Sequence, residues 1–442
     1  MPTQDESSGA LVGFAATAAL VGTLTGLMAA SFRLALDSVS DARARLLILA
    51  QGNSWLGLLL AVIICATAAA LAAALVHRIE PHTEGSGIPR VEAVVEGRIP
   101  PGSPRILPVK YIGGLLSMGA GLALGREGPS VQMGGNIGII VSRLTHRNAD
   151  DLRVLVAAGA AAGLATAFNA PIAGGVFVLE ELLRRFQLRT TVATLLASAA
   201  GFASSALLTG GTEQMFQVGP LAEPQLSHTP GVLALGIVAG LLGVLYNKSV
   251  LLGQDLAAIN PLPREAWAAI VGGGIGAVGF SAPRLIGGGD ALTQEALLAT
   301  GGILTALGIL SVRFVLGVVS YTAATPGGLF APMLVLGSQL GLLTGLLGQA
   351  VAPGWAPEPA ALALIGMAAF FTATVRAPLT GIVLVTEMTG AANQLPPMLG
   401  ACAIAMLVAT ALRDTPLYDA LSARSARAVR RNARVAASKA SR

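Results

Sequence analysis

The sequence predicts an all-α polytopic membrane protein, and three observations support this fold class. Of its 442 residues, 54% are hydrophobic and only 12% are charged, whereas about a quarter of the residues of a soluble globular protein are charged. Apolar stretches bounded by charge, proline or glycine follow one another along the chain, for example Leu56–Val76, Val232–Val250 and Ala361–Val375. Strand-like alternation is absent, and in lipid only helices or closed barrels satisfy the backbone polar groups.

The two ends of the chain carry opposite charge. The opening MPTQDESSGA is acidic and lacks the basic front of a secretory signal peptide, so we expect the first apolar segment to be retained. Seven Lys and Arg residues lie between Arg424 and Arg442, with no acid after Asp419. The positive-inside rule therefore predicts a cytoplasmic C-terminus. This tail is short and has no interleaved aromatic residues, so we interpret it as a solvated tail at the lipid surface and expect no nucleic-acid partner.

Cysteine and histidine suggest neither a disulfide nor a metal site. Cys65 and Cys402 both fall in apolar segments, far apart in the sequence. The histidines show no metal-ligand spacing, and they stand at His77, His82, His146 and His228. A phosphate loop, a metalloprotease pattern and a nucleophile elbow are also absent, so we expect no cofactor.

The two halves of the chain resemble each other. Residues 159–181 align with 366–388, so that Ala170-Pro171 matches Ala377-Pro378 and Glu180 matches Glu387. Gly125, Pro129, Gly134 and Gly138 likewise match, in the same order, Gly328, Pro332, Gly337 and Gly341. Such repeats in an apolar chain indicate a transporter or channel whose site lies where discontinuous helices meet.

This repeat predicts the domain organisation. We expect a first transmembrane repeat over 1–210, a loop between the repeats over 211–229, and a second transmembrane repeat over 230–413. A C-terminal helix and a basic cytoplasmic tail are then expected over 414–442.

Three short motifs have the pattern of helix starts inside the membrane. They are GSGIP at 85–89, GREGP at 125–129 and GGLFAP at 327–332. Proline is tolerated in a first helical turn because its missing N–H has no partner there in any case. Each start leaves unpaired N–H groups at the positive end of a helix dipole, and such ends bind anions without Lys or Arg contacts. Partial charges and hydroxyls can attract an anion and still release it.

The charged pair Arg126-Glu127 lies in the middle of this apolar chain. Ionisable groups at membrane depth usually face a cavity or a transport path. The Glu127 carboxylate is itself an anion tethered at a helix start, so it can occupy the place of a substrate anion and leave when protonated. The alternative is an Arg126–Glu127 ion pair that staples two helices.

Two further residues invite a functional interpretation. Glu181 has no acidic counterpart in the second half, where Met388 stands, so the common scaffold cannot demand it. It is a candidate for loading protons at the cytoplasmic surface, and the alternative is a solvated carboxylate paired with Arg184 and Arg185. Tyr418 follows the last apolar run, and from the residue alone we favour an anchor at the membrane interface.

The motifs together resemble those of the CLC family of chloride channels and chloride/proton antiporters. The resemblance runs from about Gly9 to Arg427 and rests on five ordered segments, at 85–89, 125–129, 163–181, 327–332 and 416–421. It implies a CLC fold with two inverted-topology repeats, discontinuous helices, and a homodimer with a separate pore in each subunit. It also implies a transporter rather than an enzyme.

The resemblance assigns roles to positions of this sequence. It makes Glu127 the external gating glutamate and Glu181 the internal proton-transfer glutamate. The implied chloride donors are the hydroxyls of Ser86 and Tyr418, and the backbone N–H groups of Leu329, Phe330 and, at the outer site, Gly128. The implied supporting residues are Arg126, Gly85, Gly87 and Glu92. Leu329 replaces a common isoleucine, which leaves the backbone donor intact.

The expected function is exchange of chloride for protons across the membrane. Glu181 favours exchange over a leak, and Ser86 favours chloride over nitrate or fluoride. No regulatory nucleotide-binding pair follows Tyr418, so the resemblance points to a prokaryotic plasma membrane, with chloride, protons and membrane lipid as partners. One alternative is an uncoupled, voltage- or pH-gated chloride channel of the same fold. The other is an intramembrane hydrolase with Ser86 as nucleophile and His77 or His82 as base.

Overall fold

The structure, a computed structural model, describes residues 8–51, 54–184, 186–211 and 213–424. Within these ranges the chain forms sixteen complete α-helices and no β-strand. The helices are α1 (Ser8–Gln51), α2 (Ser54–Arg78), α3 (Ile88–Val95), α4 (Ile106–Gly119), α5 (Glu127–Leu144), α6 (Ala149–Phe168), α7 (Pro171–Phe177), α8 (Leu188–Thr209), α9 (Thr229–Ile259), α10 (Arg264–Ser281), α11 (Asp290–Leu297), α12 (Ile303–Tyr321), α13 (Phe330–Val351), α14 (Pro359–Val375), α15 (Pro378–Thr389) and α16 (Leu395–Ala411). A terminal helix begins at residue 417 and reaches 424, where the described chain ends.

Eight helices of the described chain are long and apolar enough to cross a membrane, namely α1, α2, α6, α8, α9, α12, α13 and α16. Three further apolar helices, α4, α14 and α15, are shorter. The three stretches singled out in the sequence fall within α2, α9 and α14. The prediction of an all-α polytopic membrane protein is therefore confirmed, and the chain is a multi-pass integral membrane protein.

The repeat seen in the sequence reappears in the helix packing. Helix α5 crosses α6 where Gly134 meets the Gly159 backbone, and α13 crosses α14 where Gly337 meets the Gly366 backbone. In both crossings a Cβ on the first glycine would collide with the carbonyl oxygen of the second. Glycine is therefore required at both crossings by the close approach of two backbones. The correspondence of α5–α6 with α13–α14 is confirmed at this level.

The two halves differ in the helix that follows each of these crossings, α7 in the first half and α15 in the second. Helix α7 ends at Phe177 and continues as a π-helical turn, Val178–Leu182. Its counterpart α15 remains α-helical from Pro378 to Thr389. A π turn inserts a residue into the α-helical spacing and is frequent at functional sites. The turn contains Glu181, the acid that the second half lacks.

The segment between the halves has little regular structure. Helix α8 ends at Thr209 with Gly210 in the left-handed conformation, and α9 begins at Thr229. The proposed domain boundaries at 210, 229 and 413 stay a prediction. The acidic opening over 1–7, Arg185 and the basic tail beyond Arg424 lie outside the described residues.

Candidate functional site: three helix starts around buried acids and hydroxyls

All three motifs are helix starts, as the sequence predicts. Helix α3 follows a cap at Gly87, α5 follows a cap at Arg126, and α13 follows a cap at Leu329. The prolines Pro89, Pro129 and Pro332 are the second or third residues of these helices. In none of the three does the cap residue's side chain bond the helix's free N–H groups. These donors can therefore be offered to a ligand.

Backbone hydrogen bonds bring the three starts together. The N–H of Gly125 donates to the carbonyl of Gly328 at 2.7 Å, and the N–H of Gly328 donates back to Gly125 at 2.8 Å. The N–H of Gly85 donates to the carbonyl of Thr325 at 3.1 Å, and Gly327 donates to Gly85 at 3.0 Å. The positive ends of α3, α5 and α13 thus converge from both halves of the chain.

Glu127 places its carboxylate within this cluster. The side chain is only 1% exposed, and its Oε2 accepts a hydrogen bond from the N–H of Ala331 at 3.4 Å. Ala331 is the second residue of α13. The carboxylate of one helix start therefore lies at the N-terminus of another, where a negative charge is stabilised by the helix dipole.

In the described part of the chain no direct ion pair joins Arg126 to Glu127, so the structure does not support the alternative of an ion pair that staples two helices. Among the described residues, its guanidinium lies 3.8 Å from Asp37 and 3.7 Å from Asp290, and its Nε donates to the carbonyl of Ala167 at 3.3 Å. Asp37 and Asp290 thus contribute to balancing the charge of Arg126, together with the neighbouring Glu127. Its neighbour Glu127 is left to face α13.

Two hydroxyl groups near these helix starts have no partner. Ser86 and Tyr418 are 1% and 0% exposed, and neither hydroxyl has a hydrogen-bond partner among the described residues. Gly128 lies against Ser86, since a Cβ on Gly128 would stand 2.6 Å from the Ser86 carbonyl oxygen. Buried hydroxyls are nearly always bonded, so an unpaired pair beside free helix N–H groups indicates a site for an acceptor. Leu329 and Phe330 open α13, where the first-turn N–H groups have no acceptor within the helix.

The interpretation of Tyr418 as an anchor at the membrane interface is wrong. The phenol is fully buried and lies within electrostatic range of Tyr321, Glu127 and Glu181. The sequence could not show this from Tyr418 alone, because the terminal helix is held by residues far away in the chain, as in the ion pairs of Asp419 with Arg184 and of Arg424 with Asp255.

Glu181 is buried rather than solvated, so the alternative of an exposed helix-end carboxylate is wrong. Its side chain is 5% exposed, and the Nη2 of Arg184 lies 3.9 Å from its Oε1. Arg184 is bonded more closely to Asp419, at 2.6 Å. Asp419 follows Tyr418 directly, so this ion pair joins the turn with Glu181 to the helix with Tyr418.

Glu92 forms a second buried carboxylate at the same end of the site. Its Oε1 accepts from Arg98 at 2.8 Å, while its Oε2 and the Oε1 of Glu181 lack hydrogen-bond partners among the described residues. Glu92 also lies within electrostatic range of Glu181. Two buried acids with unpaired oxygens suit the binding of a proton.

Lys110 is a residue of this region that the sequence interpretation missed. Its Nζ is fully buried and donates to the carbonyls of Thr83 and Gly85, at 3.0 and 2.6 Å. A buried lysine amine therefore supports the loop before α3 through two hydrogen bonds, a contact that the sequence interpretation did not include. The signal was available, since Lys110 interrupts the apolar run of α4.

Gly85 and Gly87 shape the same loop. Both have positive φ, 64° and 83°, which side chains rarely adopt. A Cβ on Gly85 would stand 2.9 Å from the hydroxyl of Tyr321. Tyr321 is thus a second phenol beside the site that the sequence did not single out.

The geometry does not support a serine nucleophile. His82 pairs with Glu80 at 2.6 Å, and His77 lies 3.4 Å from Glu265, but neither ring bonds the hydroxyl of Ser86. A nucleophile needs its base within hydrogen-bond reach. Among the described residues, no three His, Cys, Asp or Glu side chains are grouped as a metal site requires.

The family model described as "Voltage gated chloride channel" matches residues 68–410. The chain belongs to this CLC family. The resemblance noted in the motifs is thereby confirmed, and the CLC fold is confirmed with it. The relatives found are named as transporters or antiporters, so the chain is a transport protein rather than an enzyme.

Curated relatives and solved structures of CLC proteins agree over nearly the whole chain. The H(+)/Cl(-) exchange transporter ClcA of Salmonella paratyphi A is 38% identical over 416 residues, covering 92% of this chain and 88% of the relative. The crystal structure of a slow cyanobacterial Cl-/H+ antiporter superposes with a TM-score of 0.90 at 33% identity, covering 93% of this chain and 98% of that chain. A eukaryotic CLC transporter, with a TM-score of 0.79 at 23% identity over 93% of this chain and 74% of that one, shares the fold.

Proposed function

We propose that this chain exchanges chloride for protons across the membrane. The observation that carries the proposal is the position of the Glu127 carboxylate at the N-terminus of α13, beside the loop of Ser86 and within electrostatic range of Tyr418. A side-chain anion held where a substrate anion would be held links the movement of one to the protonation of the other. The relatives named as H+/Cl- exchangers support exchange over an uncoupled channel.

In this proposal the central anion is held without a direct contact to a charged side chain. The hydroxyls of Ser86 and Tyr418 donate to chloride, together with the N–H groups of Leu329 and Phe330. Gly128 offers its N–H to an outer site that opens when Glu127 moves away. Unpaired hydroxyls and free first-turn N–H groups suit a halide that must also leave, because each interaction is a partial charge.

Protons follow a second route that meets the anion path at Glu127. Glu127 receives the proton at the outer side, and Glu181 loads it at the inner side. Glu92 supports Glu181 as the neighbouring acid, while Arg126 is held back by Asp37 and Asp290. Gly85 and Gly87 support the anion site by allowing the Ser86 loop its left-handed turns.

The assembly we propose is a homodimer in a bacterial plasma membrane, with a separate pore in each subunit and a cytoplasmic C-terminus. Each pore needs only one chain, because all the groups named above lie within it. Ile172 and Leu379, at matching positions of α7 and α15, expose apolar side chains that suit a second copy or surrounding lipid. The basic residues beyond Arg424 support the cytoplasmic assignment.

Paired flux measurements in liposomes test the proposed function. The purified chain is reconstituted, a chloride gradient is imposed, and chloride and proton movements are recorded together with electrodes. Exchange predicts that chloride flow down its gradient drives protons the opposite way against theirs. Chloride flux with no linked proton movement would instead support the uncoupled channel.

A further inference from the structure

A cavity separate from the ion site opens at the surface of α1 and α2, two helices long and apolar enough to cross a membrane. It has a volume of about 390 Å³ and lies between the last turns of α1, the first half of α2 and the end of α4. Its walls are almost entirely aliphatic and include Leu46, Leu60, Ile64, Ala68 and Leu116. Leu46, Leu60 and Ile64 are about half exposed. An aliphatic cavity open to the bilayer suits a hydrocarbon chain.

One charged residue, Arg43, lines this cavity. Its Nη1 donates to the carbonyls of Met118 and Gly119, at 2.9 and 3.1 Å, and so completes the C-terminal turn of α4. The described chain provides no hydrogen-bond partner for Nε or Nη2 and no acidic partner for the guanidinium. Carbonyl groups satisfy donors but leave the charge unneutralised, and an unpaired charge at the bilayer is costly.

We propose that this cavity binds an anionic phospholipid, with one acyl chain inside it and the phosphate on Arg43. A phosphate supplies both the missing acceptor and the missing negative charge, and guanidinium groups bind phosphate through paired N–H donors. The occupant is anionic because the cavity wall carries a cation and no acid. The ligand site is independent of the proposed exchange, since no residue of the ion site lines the cavity.

Native mass spectrometry of the full-length protein tests this site. The chain is purified in detergent, delipidated, and titrated with phosphatidylglycerol or phosphatidylcholine carrying identical acyl chains. We expect wild-type protein to retain phosphatidylglycerol about fivefold more strongly than phosphatidylcholine, the preference of one basic residue near anionic lipid. Equal retention of both lipids would overturn the anionic assignment.

Three variants locate the binding. Arg43→Gln removes the charge and should abolish the preference, whereas Arg43→Lys keeps it. Arg45→Gln is the matched control, because Arg45 is an exposed cation two residues along the same helix that does not line the cavity. If Arg45→Gln reduced the preference for phosphatidylglycerol as much as Arg43→Gln, the lipid would be attracted by the surface charge in general. That result would overturn the proposal.

Ala68→Phe tests the acyl chain separately from the charge. Ala68 is partly buried in the cavity wall, so phenylalanine fills the space while Arg43 stays in place. We expect lost phosphatidylglycerol retention with the helical circular dichroism spectrum unchanged. This variant keeps the hydrogen bonds from Arg43 to the end of α4. It therefore tests lipid binding in the cavity even if Arg43→Gln fails to fold. Unchanged retention by a folded Ala68→Phe protein would place the lipid elsewhere.

Discussion

Glu180 and Glu387 each accept two backbone hydrogen bonds from the first turn of the helix that carries the other. Glu387 accepts from Ile172 and Ala173 at 3.0 and 2.7 Å. Glu180 accepts from Leu379 and Thr380 at the same two distances. The match of Glu180 with Glu387 in the sequence therefore reflects a shared structural role, since equivalent backbone contacts join the two halves.

Replacing either acid of this pair should destabilise the protein. Glu180→Gln and Glu387→Gln each lose a charged acceptor at a helix N-terminus, a loss of about 1 to 2 kcal/mol. We expect both to lower the apparent melting temperature in detergent when measured by circular dichroism, and Glu180→Gln to lower it more, because Glu180 also accepts from the Thr380 hydroxyl at 2.7 Å. Glu223→Gln, an exposed acid in the loop between the halves and away from any α-helix N-terminus, is the control. A large loss in only one of the two variants would contradict the symmetric role.

Removing the charge of Glu127 should separate the two fluxes. In Glu127→Gln the side chain cannot bind or release a proton, so proton flux is lost while chloride still passes. Chloride and proton electrodes on the same liposomes measure both. Glu223→Gln, an exposed acid in the loop between the halves, should leave the ratio of the fluxes at the wild-type value. Proton transport that persists in Glu127→Gln would exclude the gating role.

Glu181→Gln should affect protons from the other side. A buried acid that relays protons contributes roughly a hundredfold to their transfer, so proton flux should fall by about that factor. Chloride flux and chloride affinity should stay near wild type, because within the described chain no hydrogen bond or ion pair joins Glu181 to the three helix starts. If chloride binding, measured by calorimetry, fell along with the proton flux, Glu181 would be a structural residue.

Tyr418→Phe and Ser86→Ala should weaken chloride binding. A hydrogen bond to a charged group contributes about 1.5 to 3 kcal/mol, so each loss should raise the Kd about tenfold or more. Isothermal titration with sodium chloride measures it. Tyr246→Phe is the matched control, since Tyr246 is another fully buried phenol whose hydroxyl has no hydrogen-bond partner in the described part of the chain. It packs on Phe314 and Phe370. If all three variants bound chloride with equal affinity, neither the Ser86 hydroxyl nor the Tyr418 hydroxyl would be a chloride ligand.

The glycine crossings predict a further stability difference. Gly134→Ala and Gly337→Ala place a Cβ against a facing backbone, and such overpacking costs about 1 to 3 kcal/mol. Both should melt at lower temperature than wild type. In α12 no atom lies within 4 Å of a Cβ built on Gly308, so Gly308→Ala should melt at or above the wild-type temperature, because alanine favours helix. Tolerance of Gly134→Ala would refute the close crossing.

Much of the fold followed from local patterns, because apolar length, proline position and the repeat are all written along the chain. The helix starts at Glu127 and Phe330 were predicted for that reason. The partners of Arg126 were not, since Asp37 and Asp290 come from distant helices and only packing brings them together. The burial of Tyr418 has the same origin.

The π turn at Glu181 was also beyond prediction from pattern. Residues 178–182 align with a stretch of α15 that stays α-helical, so neither spacing nor propensity marks the difference. The alignment did show that an acid stands in one half only. The alignment therefore identified Glu181, but the π-helical turn that contains this residue became visible only in the structure.

Because Gly125 and Gly328 exchange hydrogen bonds, the proposed ion pocket is formed by both halves of the chain, and neither half contains all of its lining. A nick in the connecting segment would leave two fragments, each with half of the pocket's lining. The two fragments would have to associate inside the bilayer before a halide could bind.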